Sequence, residues 1–538
     1  MAAELSPYLL LLPLLALPLL ALALLSLAHG RDADARRRVR PPPLPPGPWA
    51  PPVIGHLHQL AGAASPPHRA LRDLARRHGP LMLLRLGRLP VVVASSAAAA
   101  REVTRTHDAA FASRPVPPAL RLLSRGAEGL VFAPYGEGWR HMRRVCALEL
   151  FSARRVRSFR AAREAELRKL LRAVAGAAAK GETANLARLL SAFVSASAVR
   201  AVVGSRRERH GDFLRALEDA LGALPRFSLL DLFPPSRLAV VLSRAARVVE
   251  RRRRATGSGA PGLDAILDSL IREHQEHQER RDAAAPGDGA RDNGDDNDDE
   301  DLLDVLLRLR KESGSQYPLT TLNIKAVILD LFASGSDTSA TALQWAMMEL
   351  LRHPSAMRKA QDEVRAALAG QRTVTEDALA GLRYLRLVIK ETLRLHPPAP
   401  LLLPRECRAA RDVLVLGRRV PRGAAVLVNA WAIGRDPAHW DAPEEFAPER
   451  FERCGKDFRG ADMEFIPFGA GRRICPGIGF GLAHVELGLA ALLAHFDWEM
   501  PEGMVAEEMD MGEAAGITMT PRSELVLVPV TRVPVPVD

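Results

Sequence analysis

The stretch most able to do chemistry runs Phe468-Gly469-Ala470-Gly471-Arg472-Arg473-Ile474-Cys475-Pro476-Gly477. Cys475 sits in a short glycine-rich loop, and the residues after Gly477, through Leu493, have helical spacing. Glycines at 471 and 477 permit tight turns and close backbone approach. Backbone N–H groups can point at the sulfur, and the positive end of the following helix favours a thiolate. Such a loop lets a sulfur project at a metal while its own backbone stays close, which is what a thiolate ligand to haem iron needs. Phe468 is placed to cover the sulfur, and Arg473 to neutralise a propionate carboxylate.

Other clusters can serve that loop. Glu391-Thr392-Leu393-Arg394 puts Glu391 and Arg394 on one helix face, and Arg450 follows in Pro448-Glu449-Arg450-Phe451, before the cysteine loop. A long helix, about Thr321–Arg352, carries Ser334-Gly335-Ser336-Asp337-Thr338-Ser339. Glycine and small polar residues are poor mid-helix choices, so this run predicts a local opening of the helix. Trp139 and Arg143, four residues apart, share a helix face.

These residues need a scaffold, and the chain has 538 residues to build one. Its 47% hydrophobic and 25% charged residues fit a globular protein. The four cysteines, Cys146, Cys407, Cys454 and Cys475, argue against a disulfide framework. With no N-x-[ST] triplet either, this favours a cytosol-facing body. The net charge is +11, but the basic residues are dispersed and carry no nucleic-acid fingerprint. The reading is therefore no nucleic acid, leaving an anionic membrane surface or an acidic protein as partner.

Residues 5–28 are uncharged and dominated by leucine and alanine. They can span a bilayer core of about 30 Å as a transmembrane signal anchor, and Pro7, Pro13 and Pro18 are tolerable kinks. Arg31, Arg36, Arg37, Arg38 and Arg40 follow, so the body faces the cytoplasm. A cleaved signal peptide ending at Ser26-Leu27-Ala28 is the alternative reading. Residues 29–48 read as a basic, proline-rich hinge and stiff spacer, and 49–538 as the main domain. Within it, 255–300 reads as a disordered acidic insert, because 257–262 and 288–301 are rich in Gly, Asp and Asn. Helical periodicity dominates 65–255, with strands at 81–94. A further helix is predicted over about 381–395, ended by Pro397-Pro398. Short strands fall within 413–428 and at 525–530. The fold class is mainly α with small β-sheets.

The cysteine loop matches Phe-x-x-Gly-x-Arg-x-Cys-x-Gly, and here the chain resembles the cytochrome P-450 superfamily over residues 41 to about 530. With the proline hinge and the run from Lys390 to Pro398, it looks like the large plant A-type microsomal group. The resemblance implies the cytochrome P-450 fold, with a long central helix over haem b and Cys475 as the metal ligand. It implies propionate contacts from Trp139, Arg143 and Arg405, and a buried charge network of Glu391, Arg394 and Arg450 that locks the loop before Cys475. It assigns Asp337 and Thr338 to a water relay that brings two protons to dioxygen. Ser334 departs from the family, which usually has Ala or Gly there.

The implied activity is a monooxygenase that inserts one oxygen atom of O2 into a hydrophobic small molecule. A plant terpenoid, phenolic or alkaloid is the expected class. Electrons would come from NADPH through the flavins of a separate NADPH-cytochrome P-450 reductase on the endoplasmic reticulum membrane. That partner would dock on a basic face drawn from Arg140, Arg143, Arg144, Arg472 and Arg473. Substrate contacts are expected from 114–130, the helix before Asp337, 399–403 and 515–518, including Leu329, Leu331, Phe332, Leu401, Leu402 and Ile517. A haem-thiolate rearrangement enzyme and a non-catalytic haem-binding protein are the competing readings. The intact Asp337-Thr338 pair speaks against the first.

Overall fold

The computed structural model describes residues 42–61, 65–116, 129–204, 263–284, 300–311, 317–369, 374–514, 516 and 518–535, with 211, 213 and 216 as single residues between them. Met1–Pro43 and Leu44–Asp538 are separate units. The expected anchor at 5–28 lies outside the described residues.

The main sheet begins where residues 81–94 alternate and turn. Strands β1 (Leu81–Leu86) and β2 (Leu89–Ala94) pair antiparallel across a two-residue turn at Gly87, where a φ of +60° suits glycine. β3 (Arg405–Glu406) and β4 (Ala425–Val428) complete the sheet in the order β1-β2-β4-β3. β2 and β4 run parallel, and β3 is antiparallel to β4. Three smaller sheets hold Val413–Val415 with Arg418–Val420, Glu513–Ala514 with Thr520–Pro521, and Val526–Thr531 between Ala184–Asn185 and Phe496–Glu499.

Helices form the rest: α1 (Glu137–Val145), α2 (Arg160–Lys180), α3 (Leu186–Val203), α4 (Thr321–Arg352), α5 (Arg383–Leu395) and α6 (Ile478–His495). Thr320 and Asn323 make a reciprocal capping box at the start of α4, and Pro354 opens the next helix just past its end. The N-terminus of α5 has no cap of its own. Glu363 supplies one from another helix, its carboxylate accepting from the backbone N–H groups of Arg383, Tyr384 and Leu385 at 2.7, 2.7 and 2.9 Å. The long axis of the core is α4, which packs on α3 and α6. Gly488 lets them meet closely, since a Cβ there would lie 3.3 Å from both Leu343 and Phe193.

Two expectations are corrected here. Residues 255–300 are not one disordered insert: Leu263–Ala284 is a helix. Ile266, Leu267, Leu270 and Ile271 recur at three- and four-residue steps and are buried in the core. The flanking 255–262 and 285–299 lie outside the described residues. The hinge 29–48 is also not a free spacer at its C-terminal end. Pro46 O accepts from Leu83 N–H at 2.8 Å, Pro48 O meets His56 Nε2 at 2.9 Å, and a Cβ on Gly47 would overlap Leu83 O at 2.2 Å. Those prolines are docked on the edge of β1.

Candidate active site

The cysteine loop is closed by its own backbone. Cys475 N–H donates to Phe468 O at 3.0 Å, and Ile474 N–H to Gly471 O at 3.0 Å. Gly469 and Gly471 hold φ near +74° and +69°, conformations other residues rarely adopt. A Cβ on Gly471 would also lie 1.9 Å from Thr104 O, so that glycine is required twice over. Gly477 is different from expectation. Its φ is −92°, open to any residue. Its N–H instead bonds the Cys475 sulfur, and α6 starts at the next residue. The Phe468 ring is half-buried and meets Phe458 edge-on at 5.3 Å.

Burial pushes the Cys475 thiol up, against the pull of Gly477 N–H and the Arg143 charge. A metal cation bound to the sulfur would favour the thiolate.

The start of α6, which follows the loop, lies against the middle of α4. A Cβ on Gly335 would touch Phe480, and one on Gly481 would come 3.3 Å from Ser339 Oγ. At this point α4 is one continuous helix, so the expected opening is not seen. Within it, Thr338 Oγ1 donates to Ser334 O at 2.6 Å, and Ser334 Oγ donates to Asp330 O. Both hydroxyls find their acceptors on the helix's own preceding turn. Ala333, Ser334 and Asp337 are exposed between the buried Phe332 and Ser339, so this side of the helix faces a cleft rather than the core. The Asp337 carboxyl is crowded by protein even though solvent reaches it, and burial raises its pKa.

Beyond the loop, Arg114, Arg143, Arg405 and Arg473 gather in the interior with Asp108 and Asp330 as the nearby carboxylates. Arg405, placed by the start of β3, pairs with Asp108 at 3.1 Å and donates to Ala470 O at 2.7 Å. Arg473 is buried, donating to the carbonyls of Ala112, Leu130, Val131 and Ala133. It stands 4.1 Å over the Trp139 ring. Trp139 Nε1 donates to Leu130 O at 3.0 Å, and Arg143 to Ile474 O at 2.7 Å. Burial, then repulsion from Arg405 and Arg143, brings Arg473 down to about 9. Arg114 is lowered too, by burial and then by Arg405 and Arg473. Arg114 was not singled out from the sequence. Its signal was there: one charge, between Ser113 and Pro115, in an otherwise apolar stretch.

This cluster has more positive charge than the described residues neutralise, and Arg114 Nε has no acceptor among them. Both observations fit the two propionate carboxylates of haem. With a sulfur ligand on one side and the cleft beside α4, the residues present suit that group.

The charge network behind the loop is assembled around Glu391. Its carboxylate accepts from Arg394 Nε and Nη2 and from Arg450 Nε, each at 2.8 Å, and from Ala447 N–H at 2.9 Å. Arg394 also holds the carbonyls of Gly434, Pro443 and Glu445, and Arg450 those of Asp441, Ala442 and Glu445. The chain leading to the cysteine loop is thereby tied to α5.

Of the expected substrate contacts, Leu331 and Phe332 are buried in the core, Phe332 against Phe213 at 4.7 Å. Leu329 is half-buried against the same cluster as Leu331 and Phe332, Leu401 is half-buried against a different part of the core, and Leu402 approaches the cysteine loop at Gly469. Residues 117–128 and Ile517 lie outside the described residues. Of the expected basic docking face, Arg140, Arg144 and Arg472 are exposed, but Arg473 points inward and Arg143 is half-buried.

The family model described as Cytochrome P450 matches residues 45–528, and the chain belongs to the cytochrome P450 family. A zealexin A1 synthase from Zea mays is 44% identical over 492 residues, covering 91% of this chain and 93% of its own length. A 5-epiaristolochene 1,3-dihydroxylase from Nicotiana tabacum is 43% identical over 485 residues, covering 90% and 92%. A premnaspirodiene oxygenase from Hyoscyamus muticus is 43% identical over 486 residues, with the same coverage. The protein is a monooxygenase of this family, mostly helical with small sheets, and its cofactor is haem.

Proposed function

We propose that this chain hydroxylates a hydrophobic plant metabolite, with a terpene hydrocarbon as the leading class. Relatives named for acting on epiaristolochene and premnaspirodiene support that class, with phenolics and alkaloids as the wider field. Two electrons per turnover come from NADPH by way of a separate NADPH-cytochrome P-450 reductase. The charge-free 5–28 stretch supports an endoplasmic reticulum anchor with the body in the cytosol, where membrane lipid and the reductase are both at hand.

Bound haem supplies the iron at which dioxygen is reduced and one oxygen atom becomes reactive toward carbon. The chain's own residues do the rest. Cys475 Sγ is the metal ligand. Arg114, Arg143, Arg405 and Arg473 hold propionates, and Trp139 backs Arg473. Phe468 shields the sulfur loop from water. Asp337 and Thr338, on the cleft side of α4, pass protons to the oxygen being reduced. Glu391, Arg394 and Arg450 keep the loop in place.

The single observation that carries this reading is the excess of arginine gathered beside the Cys475 loop among the described residues. Co-expression with a plant reductase in microsomes, fed terpene hydrocarbons and phenolics with NADPH, tests it. Product gaining one oxygen atom from O2, and only with NADPH and reductase together, is expected. Product formed without O2 and NADPH would instead mark a rearrangement enzyme.

A further inference from the structure

We propose that Asp330 is a positioning residue: it latches the loop at Gly129–Val131 to the long helix and so sets the carbonyls on which Arg473 and Trp139 rest. Asp330 is the lone carboxylate in the apolar run from Ala326 to Phe332 of α4. Its Oδ2 accepts from Val131 N–H at 2.8 Å, and Leu130 N–H also bonds it. A side chain on the residue before them would push the carboxylate aside, because a Cβ at Gly129 would lie 2.3 Å from Asp330 Oδ2 and 3.2 Å from Ala326 O. The loop backbone is therefore pressed onto the helix at the point where the carboxylate waits.

What the latch holds is informative. Leu130 O accepts from both Trp139 Nε1 and Arg473 Nη1, Val131 O accepts from Arg473 at 3.1 Å, and Ala133 O accepts from its other nitrogen. Each of the two residues that donates to Asp330 offers its own carbonyl to Arg473. Asp330 is half-buried by exposure, and a carboxylate crowded by protein is costly unless hydrogen-bonded and near cations. Here burial pushes it up to about 6, and the two N–H groups, then Arg114 and Arg473, oppose that. A leucine would fill the same space at less cost, so the carboxylate is explained by the loop it holds. One turn on, Ser334 Oγ bonds the Asp330 backbone carbonyl within the helix.

The latch stands on the contacts alone, while its effect on haem rests on the propionate reading above. The test separates the two. Hydrogen–deuterium exchange of the full-length haem-loaded chain in lipid nanodiscs is read over peptides covering 129–133, and haem transfer to apomyoglobin is timed on the same samples. Asp330→Ala is expected to speed exchange by about 10-fold or more, the scale set by losing hydrogen bonds to a carboxylate. Haem transfer is expected to speed up with it. Asp330→Asn, which keeps an acceptor oxygen, is expected to restore at least part of both. Gly129→Ala leaves every charge in place but displaces the carboxylate, and is expected to behave like Asp330→Ala. Unchanged exchange in Asp330→Ala and Gly129→Ala would overturn the latch. Faster exchange with unchanged haem transfer would overturn its positioning role.

Discussion

Glu391 and Arg394, three residues apart on α5, form a two-toothed ion pair with both side chains at 0% exposure. Arg450 adds a third charge at the edge of the same site. Removing one partner from a buried network strands the others. Glu391→Gln keeps the shape but leaves two guanidinium groups without their anion, and is expected to cost about 3–5 kcal/mol. Urea unfolding of the variant should show that loss, together with a lower yield of haem-loaded protein. Stability within about 1 kcal/mol of the parent would remove the network's structural role.

The interior arginines make an asymmetric prediction. They repel one another, so Arg114→Gln should leave the haem-free protein within about 1 kcal/mol of the parent in unfolding. The haem-loaded protein should lose haem about 10-fold faster, the scale of one charge-assisted hydrogen bond. Apomyoglobin transfer measures this. Equal transfer rates would take Arg114 out of the propionate site.

Much of this arrangement was legible in the sequence, and the parts that were not share a cause. The long helix at Thr321–Arg352 and the helix after Gly477 carry strong periodicity and clear stops, and both stand where spacing puts them. Glu391 and Arg394 could be paired because they are one helical turn apart. Asp108 with Arg405, and Asp330 with Val131, are separated by 297 and 199 residues, so no local spacing announces them. The Leu263–Ala284 helix was hidden by Gly- and Asp-rich flanks that dominate composition over any wide window. The expected opening of α4 rested on low propensity over a few residues, which a 32-residue helix packed on its neighbours overrides.

His274 and Asp301 give a pH signature far from the active site. Their 2.9 Å contact is buried. Burial disfavours the charged imidazole, but the hydrogen bond and charge of Asp301 outweigh it and raise His274 to about 9. A folded pKa above the unfolded value means the contribution is full below about pH 6.5 and disappears as pH rises through about 9. It is worth at most about 3 kcal/mol. Urea midpoints of the parent and His274→Gln should differ most at pH 6 and converge by about pH 9. A gap that stays constant with pH would contradict the charged pair.

Thr338 offers a hydroxyl beside the cleft, already donating to Ser334 O at 2.6 Å. Thr338→Ala should leave haem binding intact and divert reducing equivalents to peroxide and water, with product per NADPH falling about 100-fold, the lower end of the usual range for a proton-transfer group. Thr338→Ser should recover most of the coupling. NADPH consumption against product, measured together, checks it, and unchanged coupling in Thr338→Ala would refute the relay.

The sulfur–iron bond is tested most directly by the carbon-monoxide difference spectrum of the reduced protein. The parent is expected to give the red-shifted band of thiolate-ligated haem. Cys475→Ser, with its haem content confirmed separately, is expected to lack that band entirely. A parent without the band, or a serine variant that keeps it, would mean that some other group holds the iron.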